Sequence, residues 1–279
     1  MSSTIELNTK KDFWDGPGGA KWVASQALMD RILEPFATAV LDDAQLPSEG
    51  TLVDVGCGCG GSTLMAARRQ PGLSVIGVDV SSAMLERARE RARDEGLDIR
   101  FEHADAATAR PAPGVDRIIS RFGVMFFADL VAAFRNMRQW LKPGGRLVAA
   151  VWNPLEDNPW MLDLFETLKP HVDVSLPTPG GPGPFSLGDL ATTGELLSEA
   201  GFVSVAQYPM GLPMRIPGPI EDAIRFQLER TLVAEALEGA SPEQREAVHG
   251  AIRAYVEARH DGNALTLAAS ARLIDAGIE

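Results

Sequence analysis

The 279-residue chain is 45% apolar and carries 38 Asp and Glu against 26 Lys and Arg, a formal charge of −12. That is enough apolar material for one large domain, and the negative balance repels phosphate backbones and anionic headgroups, which argues against nucleic acid and membrane surfaces as partners. The opening MSSTIELNTKKDFW has no leader-like apolar core, and no apolar run nears the ~20 residues of a membrane span, so a cytoplasmic location is expected.

In chain order, residues 1–50 read as helical. They contain FWDGPGGAKW, in which Gly16, Gly18 and Gly19 let the chain turn beside Trp14, while Trp22 opens a helical pattern with Val23, Gln26 and Met29. Strand-length apolar stretches then follow at 51–55, 73–80, 98–105, 115–122 and 145–152, with helices at about 62–70, 82–95 and 128–141 between them. That alternation predicts parallel strands joined by helical crossovers. The run Glu86-Arg87-Ala88-Arg89-Glu90-Arg91 fits i,i+3 and i,i+4 pairing on a solvated helix face. Pro143-Gly144 fits a type II turn, with glycine supplying the positive φ. Beyond Trp152 the spacing predicts a short helix at 161–168, a Pro/Gly-rich loop at 177–185, a helix at 189–200 and a strand at 202–208. Two more helices at 219–237 and 242–259 follow, the second opened by Ser241-Pro242-Glu243-Gln244, a capping box with proline at the first helical position. Alternating Leu265, Leu267, Ala269 and Ala271 predict one last strand over 264–274.

Chemistry concentrates in Leu52–Thr63, LVDVGCGCGGST, which turns from a strand into a helix. Glycines there let a ligand approach the backbone and aim amide N–H groups at it, which suits a pyrophosphate, a nucleoside or an amino-acid carboxylate. Asp79, at the end of the second strand, can accept both ribose hydroxyls of either a dinucleotide or an adenosyl cofactor. Asp54 separates the two. A carboxylate just before the loop repels a pyrophosphate and attracts an ammonium group. Asp105 adds an acceptor for the exocyclic amine of an adenine, so the three acids together suit a cationic adenosyl amino acid. Cys57 and Cys59 are too close in sequence for an ordinary disulfide and have no second pair to complete a zinc site, so they read as small loop residues and no metal is expected.

VDVGCGCGGST, the acid in GVDVSSAM, then HADA, DRIISRFGVMFF and LKPGG resemble, in order, the class I S-adenosylmethionine-dependent methyltransferases, in the small-molecule branch related to the ubiquinone/menaquinone-type enzymes. The resemblance is firm over about residues 50–152. It implies a doubly wound, Rossmann-like α/β fold with a seven-stranded sheet of order 3-2-1-4-5-7-6 whose last strand is antiparallel. It implies S-adenosyl-L-methionine as cofactor, with Gly56, Cys57 and Gly58 as backbone contacts, Asp79 and Val80 at the ribose, Met84 packing on adenine, Asp105 and Ala106 reading it, and Arg121 and Phe122 at the methionine end. The implied organisation is a single domain over 1–279. Residues 1–50 form a helical lid that brings Trp14 and Trp22 over the cofactor, 51–152 form the cofactor core, and 153–188 with 218–260 form substrate-side insertions. The implied reaction moves a methyl group to a small-molecule acceptor by in-line displacement. An NAD-dependent oxidoreductase, disfavoured by Asp54 and Asp105, and a non-catalytic cofactor-binding protein are the competing readings. The sequence names no general base: His103 reads as a satisfied strand histidine, and His171, Tyr208, His249 and His260 read as surface or packing residues.

Overall fold

The computed structural model describes residues 11–176 and 183–279; the first ten residues of the expected lid and most of the Pro/Gly-rich loop lie outside them. Three helices come first, α1 (Lys11–Trp14), α2 (Pro17–Ala24) and α3 (Gln26–Asp43). In α3 the residues Ile32, Leu33, Phe36, Ala37, Val40 and Leu41 are buried, a stripe at helical spacing that seats it on the sheet. Then follow β1 (Gly50–Val55), α4 (Gly61–Arg69), β2 (Leu73–Asp79), α5 (Ser82–Asp94), β3 (Ile99–His103), β4 (Val115–Arg121), α6 (Leu130–Arg138) and β5 (Leu141–Trp152). The C-terminal part holds α7 (Pro159–Leu168), α8 (Leu190–Glu199), β6 (Ser204–Met210), β7 (Met214–Pro217), α9 (Ile220–Glu229), α10 (Thr231–Ala236), α11 (Pro242–Glu257), β8 (Ala264–Leu267) and β9 (Ala271–Gly277).

The large sheet runs β3-β2-β1-β4-β5-β9-β6, with β9 antiparallel to both of its neighbours. This is the expected seven-stranded arrangement with one correction. The predicted last strand is two strands: β8 pairs with β7 in a separate two-stranded sheet, and only β9 joins the main one. The break is caused by groups from a distant part of the chain. Asn158 Oδ1 accepts the Ser270 N–H at 2.9 Å, and the Trp160 N–H donates to the Ala268 carbonyl at 3.1 Å, so the backbone groups between β8 and β9 are already engaged.

Other boundaries move for similar reasons. The helix expected to Leu141 ends at Arg138, and Leu141 already pairs with Val115. Gly144 takes φ +75°, as the type II turn requires. The capping box at Ser241 and Gln244 is present in full. The expected helix 219–237 is broken at Arg230, whose ψ of 143° is extended, so α9 and α10 meet at an angle around that side chain.

Candidate cofactor site

The loop between β1 and α4 holds Gly56, Gly58 and Gly60 in left-handed backbone, with φ of +67°, +54° and +81°. At Gly56 a β-carbon would lie 2.7 Å from Gly123 Cα, so close packing excludes any side chain. At Gly58 its nearest neighbours would be Met84 Sδ at 3.7 Å and Trp22 Nε1 at 3.9 Å, ordinary contact distances. Conformation alone asks for glycine there, and the ground in front of the loop is left open between those two side chains. Cys57 and Cys59 are buried free thiols. Burial pushes both up, Cys59 to about 12, so neither is a nucleophile at neutral pH.

The acids stand around this loop. Asp54, at the end of β1, is fully buried; its Oδ2 accepts the Ser62 and Thr63 hydroxyls at 2.7 and 2.6 Å, and its Oδ1 has no partner. Burial pushes its carboxyl up to about 6 against the two hydroxyl bonds. Asp79 accepts the Gly58 N–H and the Ser81 N–H, each at 2.8 Å, so it ties the glycine loop to the start of α5; burial raises its pKa as well. Each carboxylate oxygen still has lone-pair capacity for a ligand hydroxyl. Val80 and His103 are joined at 2.7 Å through the Val80 carbonyl, which leaves His103 as the satisfied strand histidine expected. Asp105 accepts the Ala107 N–H at 2.9 Å, and the Ala106 carbonyl accepts from Asn136 at 2.9 Å, which fixes the turn after β3. Met84 is buried in the first turn of α5.

Arg121 and Phe122 leave β4 in opposite directions. A β-carbon on Gly61 would lie 3.1 Å from the Arg121 guanidinium, which Asp30 and Asp54 both attract, while its Nε has no partner. Phe122, at φ +60°, stacks on Trp152 at 4.0 Å and meets Phe36 edge-on. A phenylalanine in left-handed backbone is a strained arrangement, here held by the aromatic stack.

The N-terminal segment lies across the strand ends. Asp15 accepts the Ser82 N–H and hydroxyl, each at 2.7 Å, and Gly19 sits so close to Ser81 Oγ that a side chain could not fit. Trp14 meets Phe13, Trp22 and Phe126 edge-on at 5.3, 6.1 and 5.3 Å, and its Nε1 is buried without a partner. Trp14, Trp22, Gly58, Met84 and Asp79 are thereby brought together at the carboxyl ends of β1 and β2, where a cofactor crevice is expected.

Sequence reasoning missed a second tie between α3 and this crevice. Asp30 accepts from Gln26 Nε2 at 2.7 Å and pairs with Arg91 at 2.7 Å, while Arg91 also donates to the Cys59 carbonyl. The charge run on α5 is therefore not all solvated face: Arg87–Glu90 and Arg89–Glu86 are the expected i,i+3 pairs, but Arg91 points inward. The four candidate bases lie elsewhere. Tyr208 is exposed on β6, His249 is exposed on α11, His260 is held in the turn before β8 by Gly218 and Gly262, and His171 follows the end of α7.

Residues 52–145 match the family described as a methyltransferase domain. The demethylmenaquinone methyltransferase of Thermus thermophilus is 38% identical over 104 residues, 37% of this chain and 47% of that one. The trans-aconitate 2-methyltransferase of Methylobacterium nodulans is 31% identical over 140 residues, 50% of this chain and 52% of that one. The chain thus spans about half the length of these two curated relatives. Among solved structures, phosphoethanolamine N-methyltransferase 2 of Haemonchus contortus in complex with S-adenosyl-L-methionine shares the fold, with a TM-score of 0.58 at 18% identity over 99% of this chain and 60% of that one.

Proposed function

From the methyltransferase-domain match over residues 52–145, we propose that the protein is a class I S-adenosylmethionine-dependent enzyme that moves a methyl group from S-adenosyl-L-methionine to a small-molecule acceptor. The observation that carries this reading is the buried, unpartnered Oδ1 of Asp54 in front of the glycine loop. A buried carboxylate oxygen is costly without a partner, and it suits the ammonium of an amino-acid cofactor while opposing a pyrophosphate. Arg121 Nε and Trp14 Nε1 are two further buried donors without partners beside the same crevice, and the first suits the amino-acid carboxylate. Asp79 would take the ribose, Met84 and Ala106 would pack on the adenine, and Asp105 would meet its amine.

When bound, the cofactor supplies a methyl group on a sulfonium whose leaving group is a neutral thioether. The chain's own task is to align the acceptor with that methyl carbon and to exclude water. Trp14 and Trp22 on the lid would close the crevice from one side, and the segments 153–188 and 218–260 would wall the acceptor from the other. The small-molecule acceptors in the names of the relatives support the same class of acceptor here. Among the described residues no helix is long and apolar enough to cross a membrane, and with the net charge of −12 this supports a cytoplasmic enzyme.

The test is a thermal-shift comparison of S-adenosylhomocysteine with NAD, followed by methyl transfer from labelled cofactor to a panel of metabolites. Stabilisation by S-adenosylhomocysteine and not by NAD is the expected result. Stabilisation by NAD alone would replace the methyltransferase with the oxidoreductase.

A further inference from the structure

Arg230, at the break between α9 and α10, is a partly buried cation with almost nothing to neutralise it. Its NH1 donates to the Trp160 carbonyl at 3.1 Å and to Gln227 Oε1 at 3.3 Å, and its guanidinium lies over the Trp160 ring at 4.7 Å. Among the described residues no carboxylate pairs with it: Asp163, on the neighbouring α7, pairs instead with Arg259. Burial lowers the Arg230 pKa to about 10, with only Tyr255 opposing, so the group is still charged at neutral pH. Beside it Gln227 is fully buried, and its Nε2 has no partner at all. A partly buried guanidinium and a fully buried amide NH₂ thus stand together with donors to spare. Leaving the buried amide unsatisfied costs stability, which marks the pair as shaped for something else.

The place matters as much as the chemistry. Trp160 packs on Trp152 at 5.3 Å, and Trp152 stacks on Phe122 at the carboxyl end of β4, so a chain of aromatic contacts leads from Arg230 to the crevice. On the other side, Glu235 of α10 feels the charge of Lys21 on the lid helix α2. Arg230 is thus linked to Phe122 through the two tryptophans and, through α10, to the neighbourhood of the lid helix. We propose that Arg230 and Gln227 are the recognition site for a carboxylate of the methyl acceptor, which makes the acceptor a small carboxylic acid. One guanidinium with one neutral amide balances a single negative charge; a phosphate dianion would leave one unbalanced beside the apolar Trp160 and Trp152. The proposal rests on the methyltransferase reading and adds the acceptor's chemical class.

The test uses the full chain saturated with S-adenosylhomocysteine and trifluoroacetate as a minimal carboxylate followed by fluorine NMR. Expected is saturable binding that acetate displaces, inorganic phosphate displaces less well, and acetamide does not. Two variants assign it. Arg230→Met removes the cation, and Gln227→Glu places a carboxylate of the chain's own against Arg230; each should weaken the anion by about tenfold or more, the loss of one charge-assisted hydrogen bond. Gln227→Glu should also melt no lower than the wild type, because it satisfies Arg230 internally, and it decides the question if Arg230→Met does not fold. Binding that acetate cannot displace, stronger displacement by phosphate, or unchanged binding in Gln227→Glu would overturn the proposal. Calorimetry of S-adenosylhomocysteine on the same samples separates the two readings: if it binds the wild type and Gln227→Glu alike while the anion result fails, only the carboxylate site falls.

Discussion

Two regions of this molecule bury charge, and they bury opposite signs. Around the glycine loop the buried groups are the carboxylates of Asp54 and Asp79, held by hydroxyls and backbone N–H groups. In the C-terminal part they are the buried guanidinium of Arg272 and the partly buried one of Arg230, held by carbonyls and amides. None of the four forms a salt bridge among the described residues. A charge held only by neutral dipoles keeps its field, whereas one paired with its opposite gives it up locally. On the loop side the two carboxylates suit a cation while Arg121 beside them suits a carboxylate, as a zwitterionic amino-acid group asks, and the opposite side suits an anion.

The two arginines differ in turn. Arg272 donates to the carbonyls of Leu187, Gly188 and Asp189, to Thr193 Oγ1, to Gln207 and to Asn153. Every part of its fork is used, and it pins the segment before α8 to β9. Arg230 uses one nitrogen. Removing Arg272 is expected to cause the largest change of all: Arg272→Met strands several buried acceptors, including Thr193, and should cost ~3 kcal/mol or more in urea unfolding. A loss below ~1 kcal/mol would mean that Arg272 and Arg230 are not different kinds of residue, and the comparison between them would break.

Next in size is the cofactor side. Asp79→Asn keeps the shape of the side chain while removing its charge, and it should weaken S-adenosylhomocysteine by tenfold to a hundredfold, the ~1.5–3 kcal/mol of charge-assisted bonds to ribose. Unchanged affinity by calorimetry in a folded variant would take Asp79 out of the site and leave it only as the tie between Gly58 and Ser81.

The loop side was legible from sequence and the opposite side was not. Asp54, Gly56, Gly58 and Asp79 lie within one strand-turn-helix unit and the strand next to it, so their spacing along the chain is also their spacing in space. The local alternation gave parallel strands joined by crossovers, and the strand order came from what the resemblance of that stretch implies. Arg230 gave no such signal, because the helical pattern of 219–237 continues through it and only the packing against Trp160 shows the break. Asp30 and Arg91 are each ordinary helix-surface residues in sequence, and their pairing joins α3 to α5, far apart in the chain. The split of the last strand was hidden likewise: Ala268-Ala269-Ser270 contains no glycine or proline, and the groups that break it come from Asn158 and Trp160, far away in the chain.

A pH series sharpens the negative side of the comparison. The Asp54 carboxyl is raised by burial from 3.8 to about 6, so the stability it contributes is present below about 4 and is lost as pH rises through about 6. A ligand ammonium placed against Asp54 reverses the preference, because it binds the ionised form. Affinity for S-adenosylhomocysteine should therefore rise about tenfold from about pH 5 to about pH 7 and then level off. Asp54→Asn should flatten that rise and make the ligand-free protein more stable at neutral pH. An unaltered pH profile in Asp54→Asn would assign the dependence to another group.

The smallest effect is expected at the lid, where neither sign of charge is buried and the contacts are aromatic. Trp14 touches Trp22 and Phe126 edge-on, geometry worth ~0.5–1.5 kcal/mol a pair beyond the area it covers. Its indole N–H has no partner, so part of that gain is spent on an unsatisfied donor. Trp14 is also only partly buried, and the turn between α1 and α2 is held by Asp15 on Ser82 as well as by the rings. Truncating Trp14 to alanine should thus leave the fold standing with a small drop in melting temperature. If the segment is a lid, the same change opens the crevice at the sulfonium and lets water in. Methyl transfer should then fall several-fold more than cofactor affinity, and S-adenosylhomocysteine should no longer protect residues 11–22 from limited proteolysis. Should Trp14→Ala lower stability and leave both transfer and protection intact, the aromatic cluster is packing at the edge of the core, and the crevice is closed by something other than its N-terminal helices.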